Sequence, residues 1–260
     1  TSGTTGRPKG CVLTHGNMMF EVDNVVTVLE ELLRPDNAST LLFLPIAHVF
    51  GRMIQCAVIR AGARLGHTAD IKNLIPQLQS YRPTFLLAVP RVFEKVYNSA
   101  EQKAQAEGKG NIFATAAGVA IDYSRALDDT GPGLMLRLKH AIFDKLVYRK
   151  LRAAMGGQVE WAVSGGAPLG ERLGHFFRGM GMTVLEGYGL TETTAAVHVN
   201  RPAANRIGTV GRPLPHTTVR VADDGELLYK GAEIFPGYWN NPAATADAID
   251  AGGWFHTGDI

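Results

Sequence analysis

An α/β fold, with layered sheets covered by helices and a β-rich region following them, is predicted by three patterns in this sequence. Short apolar runs alternate with amphipathic stretches from residue 40 onward, a strand, glycine turn and helix follow near residue 160, and after about residue 205 short alternating runs take over. Apolar runs with no internal alternation suit strands buried on both faces, hence a parallel sheet between helices.

Taken in order, TLLFLP at 40–45 reads as a strand, with helices near 50–61 and 70–81, and TFLLAV at 84–89 as the next strand. In the second helix Ile71, Leu74, Ile75, Leu78 and Tyr81 recur at helical spacing behind Asp70, which fits an N-cap, while Pro76 argues against an unbroken helix. Residues 91–155 are rich in helix formers. There Leu134, Leu138, Ala141, Ile142 and Leu151 mark one apolar face among lysines and arginines, which form a solvated face, and Gly-Pro-Gly at 131–133 marks a break. VEWAVS at 159–164 reads as a strand, GGAPLG as a turn and ERLGHFFRGMG as a helix, with Leu169, Leu173, Phe176, Phe177 and Met180 facing inward. TVRVADDGELLYKG forms two alternating runs around Asp-Asp-Gly, a hairpin signal. The expected division is an α/β core over 1–205 and a β-rich subdomain over 206–260.

With 260 residues, 45% of them hydrophobic, the chain can bury a substantial core. Twenty-six Lys and Arg against 24 Asp and Glu leave +2, with no basic block to suggest nucleic acid, so small anionic ligands are the expected partners. Cys11 and Cys56 form neither a CxxC pair nor a cluster with zinc-like spacing. No apolar run approaches the roughly 20 residues that span a bilayer, and no signal-peptide pattern is present, so a cytoplasmic protein is expected. The start at Thr1, already inside a motif, predicts a piece of something longer.

That motif is TSGTTGRPKG, residues 1–10. Gly3 and Gly6 let backbone N–H groups turn toward an anion, Thr1, Ser2, Thr4 and Thr5 offer hydroxyls, and Arg7 and Lys9 offset phosphate charge. A plain polar terminus would not need the Pro-Lys-Gly step that closes it. It is not a P-loop: Pro8 precedes Lys9 and Gly10 follows it, so no hydroxyl stands where that loop binds magnesium.

EGYGLTETT at 186–194 follows an apolar run and so belongs at the carboxyl end of a strand, where open α/β sheets bind ligands. Tyr188 between Gly187 and Gly189 can stack on a base, and Glu192 beside Thr191 can hold Mg²⁺ near phosphates. His48, between Ala47 and Val49, reads either as a substrate-side residue or as a satisfied buried histidine. Residues 162–166, AVSGG, approximate the Gly-x-Ser-x-Gly elbow of serine hydrolases, with Ser164 as nucleophile and Asp250 and His256 loosely ordered after it. Ala162 replaces the first glycine, and the elbow leaves the phosphate-type loop unexplained.

Taken together, these stretches resemble the AMP-forming acyl-CoA synthetases of the adenylate-forming superfamily. TSGTTGRPKG resembles the family's phosphate loop, LPIAHVFGR (44–52) its substrate-proximal motif, SGGAPL (164–169) its adenine-side turn and EGYGLTET its adenine and magnesium motif. GELLYKGAEIFPGYWNNPAAT (225–245) resembles its structural β-motif and GWFHTGDI (253–260) its ribose-binding aspartate motif. The resemblance implies that Thr1, Ser2, Gly3, Thr4, Thr5, Gly6 and Lys9 contact ATP phosphates, and that Gly165, Gly166 and Ala167 line the adenine with Tyr188 stacked on it. The rest of that motif, Glu186, Gly187 and Gly189, belongs to the same ATP/AMP site. It further implies that Thr191 binds the α-phosphate, Glu192 ligates Mg²⁺, Asp259 accepts from the ribose hydroxyls and His48 stands beside the carboxylate or thiol entry. Lys9, Thr191 and Glu192 would carry the catalysis.

The implied fold is part of the large N-terminal domain of such an enzyme. The implied chemistry uses ATP, Mg²⁺ and coenzyme A in two steps, acyl-adenylate and then thioester. RPTFLLAVPRVFEKVYN (82–98) and the helical stretch after it resemble the long-chain branch, which implies a long-chain fatty acid as substrate and peripheral membrane contact. The family pattern also implies an N-terminal portion before Thr1 and a mobile C-terminal domain with a catalytic lysine beyond Ile260, without which the 260 residues would not turn over. Gly51 departs from the pattern, which often has an acid before the arginine corresponding to Arg52. The alternatives are a nucleotide-binding module without turnover and an acyl-AMP ligase for another carboxylic acid.

Overall fold

The computed structural model describes residues 8–260, so the phosphate contacts expected of Thr1, Ser2, Gly3, Thr4, Thr5 and Gly6 lie outside the described residues. The chain enters through a short strand, β1 (Cys11–Val12), and then α1 (His15–Val28). Thr14 starts that helix as a reciprocal cap, its Oγ1 accepting from the Asn17 N–H at 3.1 Å while Asn17 Oδ1 accepts from the Thr14 N–H at 2.9 Å. After the short α2 (Glu30–Leu33), the expected rhythm follows as β2 (Ser39–Leu42), α3 (Val49–Ala61), β3 (Arg64–His67), α4 (Leu74–Tyr81) and β4 (Phe85–Ala88).

A helical insert comes next: α5 (Pro90–Ala106), α6 (Gly110–Leu127) and α7 (Leu134–Phe143), which continues through a π turn at Asp144–Tyr148 into α8 (Arg149–Ala154). Then β5 (Trp161–Ser164), α9 (Glu171–Gly179) and β6 (Thr183–Tyr188) restore the alternation. Two short strands, β7 (His198–Val199) and β8 (Arg212–Pro213), complete a five-stranded sheet in the order β4-β5-β6-β7-β8. It is parallel through β6 and antiparallel beyond it. The parallel β2–β3 pair runs alongside, linked where the Thr84 N–H donates to Ser39 O at 2.9 Å.

Strand residues alternate between two cores, as the period of two demands. Leu86, Ala88, Ala162 and Val184 face α5, α6 and α9, where Phe93, Tyr97, Phe113, Phe176 and Phe177 meet edge to face or tilted. Phe85, Leu87, Val163 and Leu185 face α1 and α3 through Val22, Val25, Met53 and Ile54. The sheet is covered on both sides, and Leu169, Leu173, Phe176, Phe177 and Met180 are buried as their spacing predicts.

The β-rich region begins with the expected hairpin. β9 (Thr218–Val221) pairs antiparallel with β10 (Leu227–Lys230) around a turn in which Ala222 N–H bonds Glu226 O and Gly225 has φ +93°. The two-residue strand β11 (Gly237–Tyr238) returns to pair with β1, and after α10 (Pro242–Ala248) the last strand, β12 (Phe255–His256), adds to β10. Because β8 joins the sheet of the first region, that sheet runs on to Pro213, past residue 205.

Two local expectations change. The helix expected from residue 70 begins at Leu74, because the Asp70 carboxylate bonds the Asn73 N–H and side-chain amide at 3.2 and 2.6 Å and so shapes a turn ahead of it. Pro76 then falls in the first turn, where no helical hydrogen bond is lost, and Ile71 stays exposed. Of the apolar face expected over α7 and α8, Leu134, Leu138, Ala141 and Ile142 point to solvent while Leu151 packs against the core, as do the half-buried Phe143 and Val147 and the buried Tyr148 on the opposite side. No helix among the described residues is long and apolar enough to cross a membrane.

Candidate nucleotide and acyl site

Ser164 and Glu186 lie opposite one another in the parallel β5–β6 pair, so the turn after β5 and the end of β6 open at one edge of the sheet. Gly166 takes φ +84° in that turn, and Glu186, although buried, spends Oε2 on the Leu169 N–H at 2.8 Å, which ties the SGGAPL turn to the neighbouring strand. Beyond Tyr188 the chain crosses itself at Gly189, where a Cβ would lie 1.5 Å from the Ala195 carbonyl oxygen. Only glycine permits that approach.

Thr191–Thr193 then forms one 3-10 turn. Thr193 stitches it: its Oγ1 accepts from the Leu190 N–H at 2.8 Å and sits 3.1 Å from Ala195 O. Glu192 is buried within it, its carbonyl bonded by the Phe235 N–H at 2.8 Å and its Oε1 by the Tyr238 hydroxyl at 2.8 Å. Tyr238 is placed by the pairing Cys11↔Tyr238, and Lys9 Nζ stands 4.6 Å from the centroid of its ring. One tyrosine therefore joins Lys9 to Glu192. Burial, and then the bond to Glu192, push the Tyr238 phenol well up, so it remains a donor at neutral pH. The Cys11 thiol beside it is pushed up to about 12, by burial and then by the Glu192 charge.

Tyr188 donates its hydroxyl to Asp259 Oδ2 at 2.6 Å. Burial, and then this bond, hold the phenol protonated. Asp259 is fixed in turn through its N–H to Thr257 Oγ1 at 3.0 Å and its carbonyl to the Leu227 N–H at 2.9 Å. Just before it, Glu226 bonds His256 Nδ1 and the Gly258 N–H, each at 2.8 Å.

His48 caps α3, Nδ1 accepting from the Phe50 N–H at 3.4 Å, and its ring is exposed, which removes the buried-histidine alternative. It opens on a cavity of about 440 Å³ shared with Ser164, Gly165, Gly166, Gly187, Tyr188, Gly189 and Thr191. The cavity's other walls are apolar, with Val25, Leu29, Met53, Leu87 and Val163 among them. Ala167 is exposed and, like Lys9, Glu192, Glu186 and Asp259, does not line the cavity; the structure instead joins Lys9 and Glu192 at Tyr238, and Asp259 to Tyr188. Ser164 Oγ is buried with no partner among the described residues, and His256 bonds Glu226 and lies 3.7 Å from Asp250, so no base serves a nucleophilic serine.

Tyr238 and Glu233 lie within the 225–245 stretch, which reads only as a structural β-motif, and no motif covers Glu21. Glu21, fully buried in α1, accepts through its carboxylate from the Ala196 N–H at 2.9 Å, and Thr194 donates to the Glu233 backbone carbonyl at 2.6 Å, so one distant side chain and one distant backbone carbonyl brace the loop after Glu192. Burial drives the Glu21 carboxyl well above its usual range. No group of three or more His, Cys, Asp or Glu among the described residues could hold a metal by itself. A single buried carboxylate suits Mg²⁺ all the same, since that ion commonly takes one or two carboxylates and fills its shell with phosphate and water oxygens.

The chain matches the AMP-binding enzyme family over residues 1–239. Along its full length it is 55% identical to the long-chain-fatty-acid–CoA ligase FadD15 of Mycobacterium tuberculosis and covers 43% of that protein. It is 35% identical, over 274 aligned residues, to the mouse long-chain-fatty-acid–CoA ligase 6, covering 38% of it. The chain thus spans less than half the length of these curated relatives. Among solved structures, a malonyl-CoA ligase in a ternary product complex with methylmalonyl-CoA and AMP superposes on the whole chain with a TM-score of 0.70 at 25% identity, 48% of that chain being covered. The N-terminal domain of FACL13 from Mycobacterium tuberculosis gives 0.69 at 24% identity, with 100% of this chain and 55% of that one covered. With its sheet-edge site and this match across most of its length, the chain belongs to the AMP-binding enzyme family.

Proposed function

We propose that the protein carrying this chain activates a long-chain fatty acid with ATP, forming acyl-adenylate and pyrophosphate, and then passes the acyl group to the thiol of coenzyme A with release of AMP. The observation that carries the reading is the single cavity in which an apolar wall meets the adenine-side turn, Tyr188, Thr191 and His48. The relatives named above support the choice of acid.

In this reading the acyl chain lies along Val25, Leu29 and Met53, and its carboxylate faces Thr191 near His48. Adenine sits against Gly165, Gly166 and Ala167 and stacks on Tyr188, while Asp259 receives the ribose hydroxyls through the oxygen that Tyr188 leaves open. Residues 1–6 and Lys9 hold the β- and γ-phosphates, and Thr191 donates to the α-phosphate. The carboxylate attacks the α-phosphorus and pyrophosphate leaves, a displacement that gains chiefly from alignment and from cations near the developing charge. Glu192, oriented by Tyr238, would hold Mg²⁺, which supplies charge neutralisation to the phosphates when bound. In the second step the thiol sulfur attacks the acyl carbonyl and gives up its proton to solvent, and the acyl C–O bond breaks to release AMP.

The α/β core over 1–205 would carry adenine and acyl chain, and the β-rich region over 206–260 would close on the ribose. We place the protein in the cytoplasm in peripheral contact with membrane. Pyrophosphate release by the purified full-length enzyme with palmitate, octanoate, acetate or coumarate tests the substrate. Palmitate is expected to give the highest kcat/KM; a win for acetate or coumarate would overturn it in favour of another carboxylic acid.

A further inference from the structure

The helical rod formed by α7, the π turn and α8 is fixed by its inner side. Tyr148, fully buried, donates to Ala116 O at 2.7 Å, His140 Nε2 meets Gly179 O at 2.6 Å, and Arg152 bonds Met180 O at 2.5 Å. Its outer side carries Leu134, Met135, Leu138, Ile142 and Leu146, exposed by 88, 66, 57, 48 and 54%. Positions 134, 138, 142 and 146 stand four apart and share one face, with 135 beside them. Scattered apolar residues are ordinary on a protein surface, but five on one face are not.

The charge along the same rod has one sign. Lys139, Lys145, Arg149 and Lys150 are exposed, whereas the one acid in the rod, Asp144, is taken by Arg149 at 3.1 Å and Arg152 at 2.6 Å. Glu107, the neighbouring acid whose charge Lys150 influences, is taken by Lys109 at 2.8 Å. An apolar stripe flanked by unneutralised lysines is the pattern of a helix that lies in the plane of a membrane interface, its apolar face among the acyl chains and its cations at the headgroups.

We propose that the outer face of this rod docks on an anionic lipid bilayer, Leu134, Met135, Leu138, Ile142 and Leu146 entering the acyl region while Lys139, Lys145 and Lys150 meet the phosphates. A second copy of the chain would set this face against itself and bring like charges together, which argues for the lipid surface. The proposal deepens the membrane contact stated above and is independent of the adenylation chemistry, so its test reads partition and not turnover.

Purified full-length protein is co-sedimented with vesicles of phosphatidylcholine alone or mixed with phosphatidylglycerol, over a range of salt. The wild type is expected to bind the anionic vesicles about tenfold or more tightly, with the preference falling as salt rises. L138E/I142E should lose about tenfold or more on both vesicles with an unchanged melting temperature, and K139E/K145E should lose only the anionic preference. As a second readout, Leu138→Trp should be quenched by brominated acyl chains beyond the wild-type tryptophan background. Wild-type sedimentation equal to a vesicle-free control, variants that bind like wild type, or no added quenching would overturn the proposal. So would L138E/I142E shrinking an oligomer while leaving vesicle binding intact, which would assign the face to a second copy.

Discussion

The sheet edge and the outer face of α7 invert the usual burial of side chains in opposite ways. At the edge, carboxylates go inside: Glu186 and Glu192 are 8 and 7% exposed, each with a hydrogen bond from a distant part of the chain. On α7, leucines go outside, with nothing among the described residues covering them. A buried acid is retained at a cost in desolvation, and an exposed leucine forgoes the roughly 1.5–3 kcal/mol of burial it could have had. Neither arrangement serves the stability of the chain alone, and under the two proposals above each has a ligand to account for it, a nucleotide with its cation in one case and a lipid surface in the other.

Substitutions can break this contrast. The largest effect is expected at Gly189→Ala, whose Cβ would lie 1.5 Å from Ala195 O, so the crossing behind Thr191 must open. A loss of about 3 kcal/mol or more should appear in urea unfolding, and wild-type stability would mean the crossing is not tight. Glu192→Gln keeps an acceptor for Tyr238 but removes the charge. Adenylation should fall about 100-fold with little change in melting temperature, and a rate within threefold of wild type would deny Glu192 its cation.

Tyr238→Phe sharpens the contrast further, since the ring stays beneath Lys9 while the donor to Glu192 goes. A hydrogen bond to a charged group contributes about 1.5–3 kcal/mol, so the KM for magnesium-ATP should rise about tenfold or more. An effect confined to thermal stability would reduce Tyr238 to packing. Smaller still is His256, whose pKa is raised by its hydrogen bond to Glu226 and by that residue's charge. The pair's contribution is complete below the unfolded value near 6.5 and is lost as pH rises through the higher folded value. His256→Gln should therefore flatten the pH dependence of melting across that window, with under about 1 kcal/mol at stake in this partly exposed pair. An unchanged profile would show that the ion pair adds nothing. At the bottom of the scale, Leu138→Ser on the outer face of α7 should move stability by no more than about 0.5 kcal/mol, against about 2–5 for Leu78→Ala in the core.

What could be read from the sequence follows from how far each partner lies. The β5–turn–α9 unit, the inward set from Leu169 to Met180, the β9–β10 hairpin and the cluster of Tyr188, Thr191 and Glu192 are local patterns, and local periodicity carries them. Tyr238 is 46 residues from Glu192, and Glu21 is 175 from the amide it holds. Spacing along the chain says nothing about such meetings. In α7 the periodicity groups Leu134, Leu138, Ala141 and Ile142 correctly but not Leu151, which packs on the core, and it does not give the direction of the face, because Leu136, Phe143 and Val147 on the opposite side form an apolar face of their own and the buried Tyr148 decides which one turns inward. At Asp70 the side chain competed for the Asn73 amide and delayed the helix by a turn, a contest between Asx turn and cap that composition alone does not settle.

The pairing of β1 with β11 also bears on the order of assembly. Cys11 and Val12 meet Tyr238 and Gly237, and this is the one strand partner that β1 has among the described residues. During synthesis the phosphate-type loop therefore emerges early and stays without its clasp until the chain has reached Tyr238, while the α/β layers between them can already form. Closing so long a loop is slow relative to local contacts, since its entropy is lost before its contacts form. A nascent chain that has not yet reached β11 therefore holds β1 without its strand partner, whatever part of the sheet between them has formed.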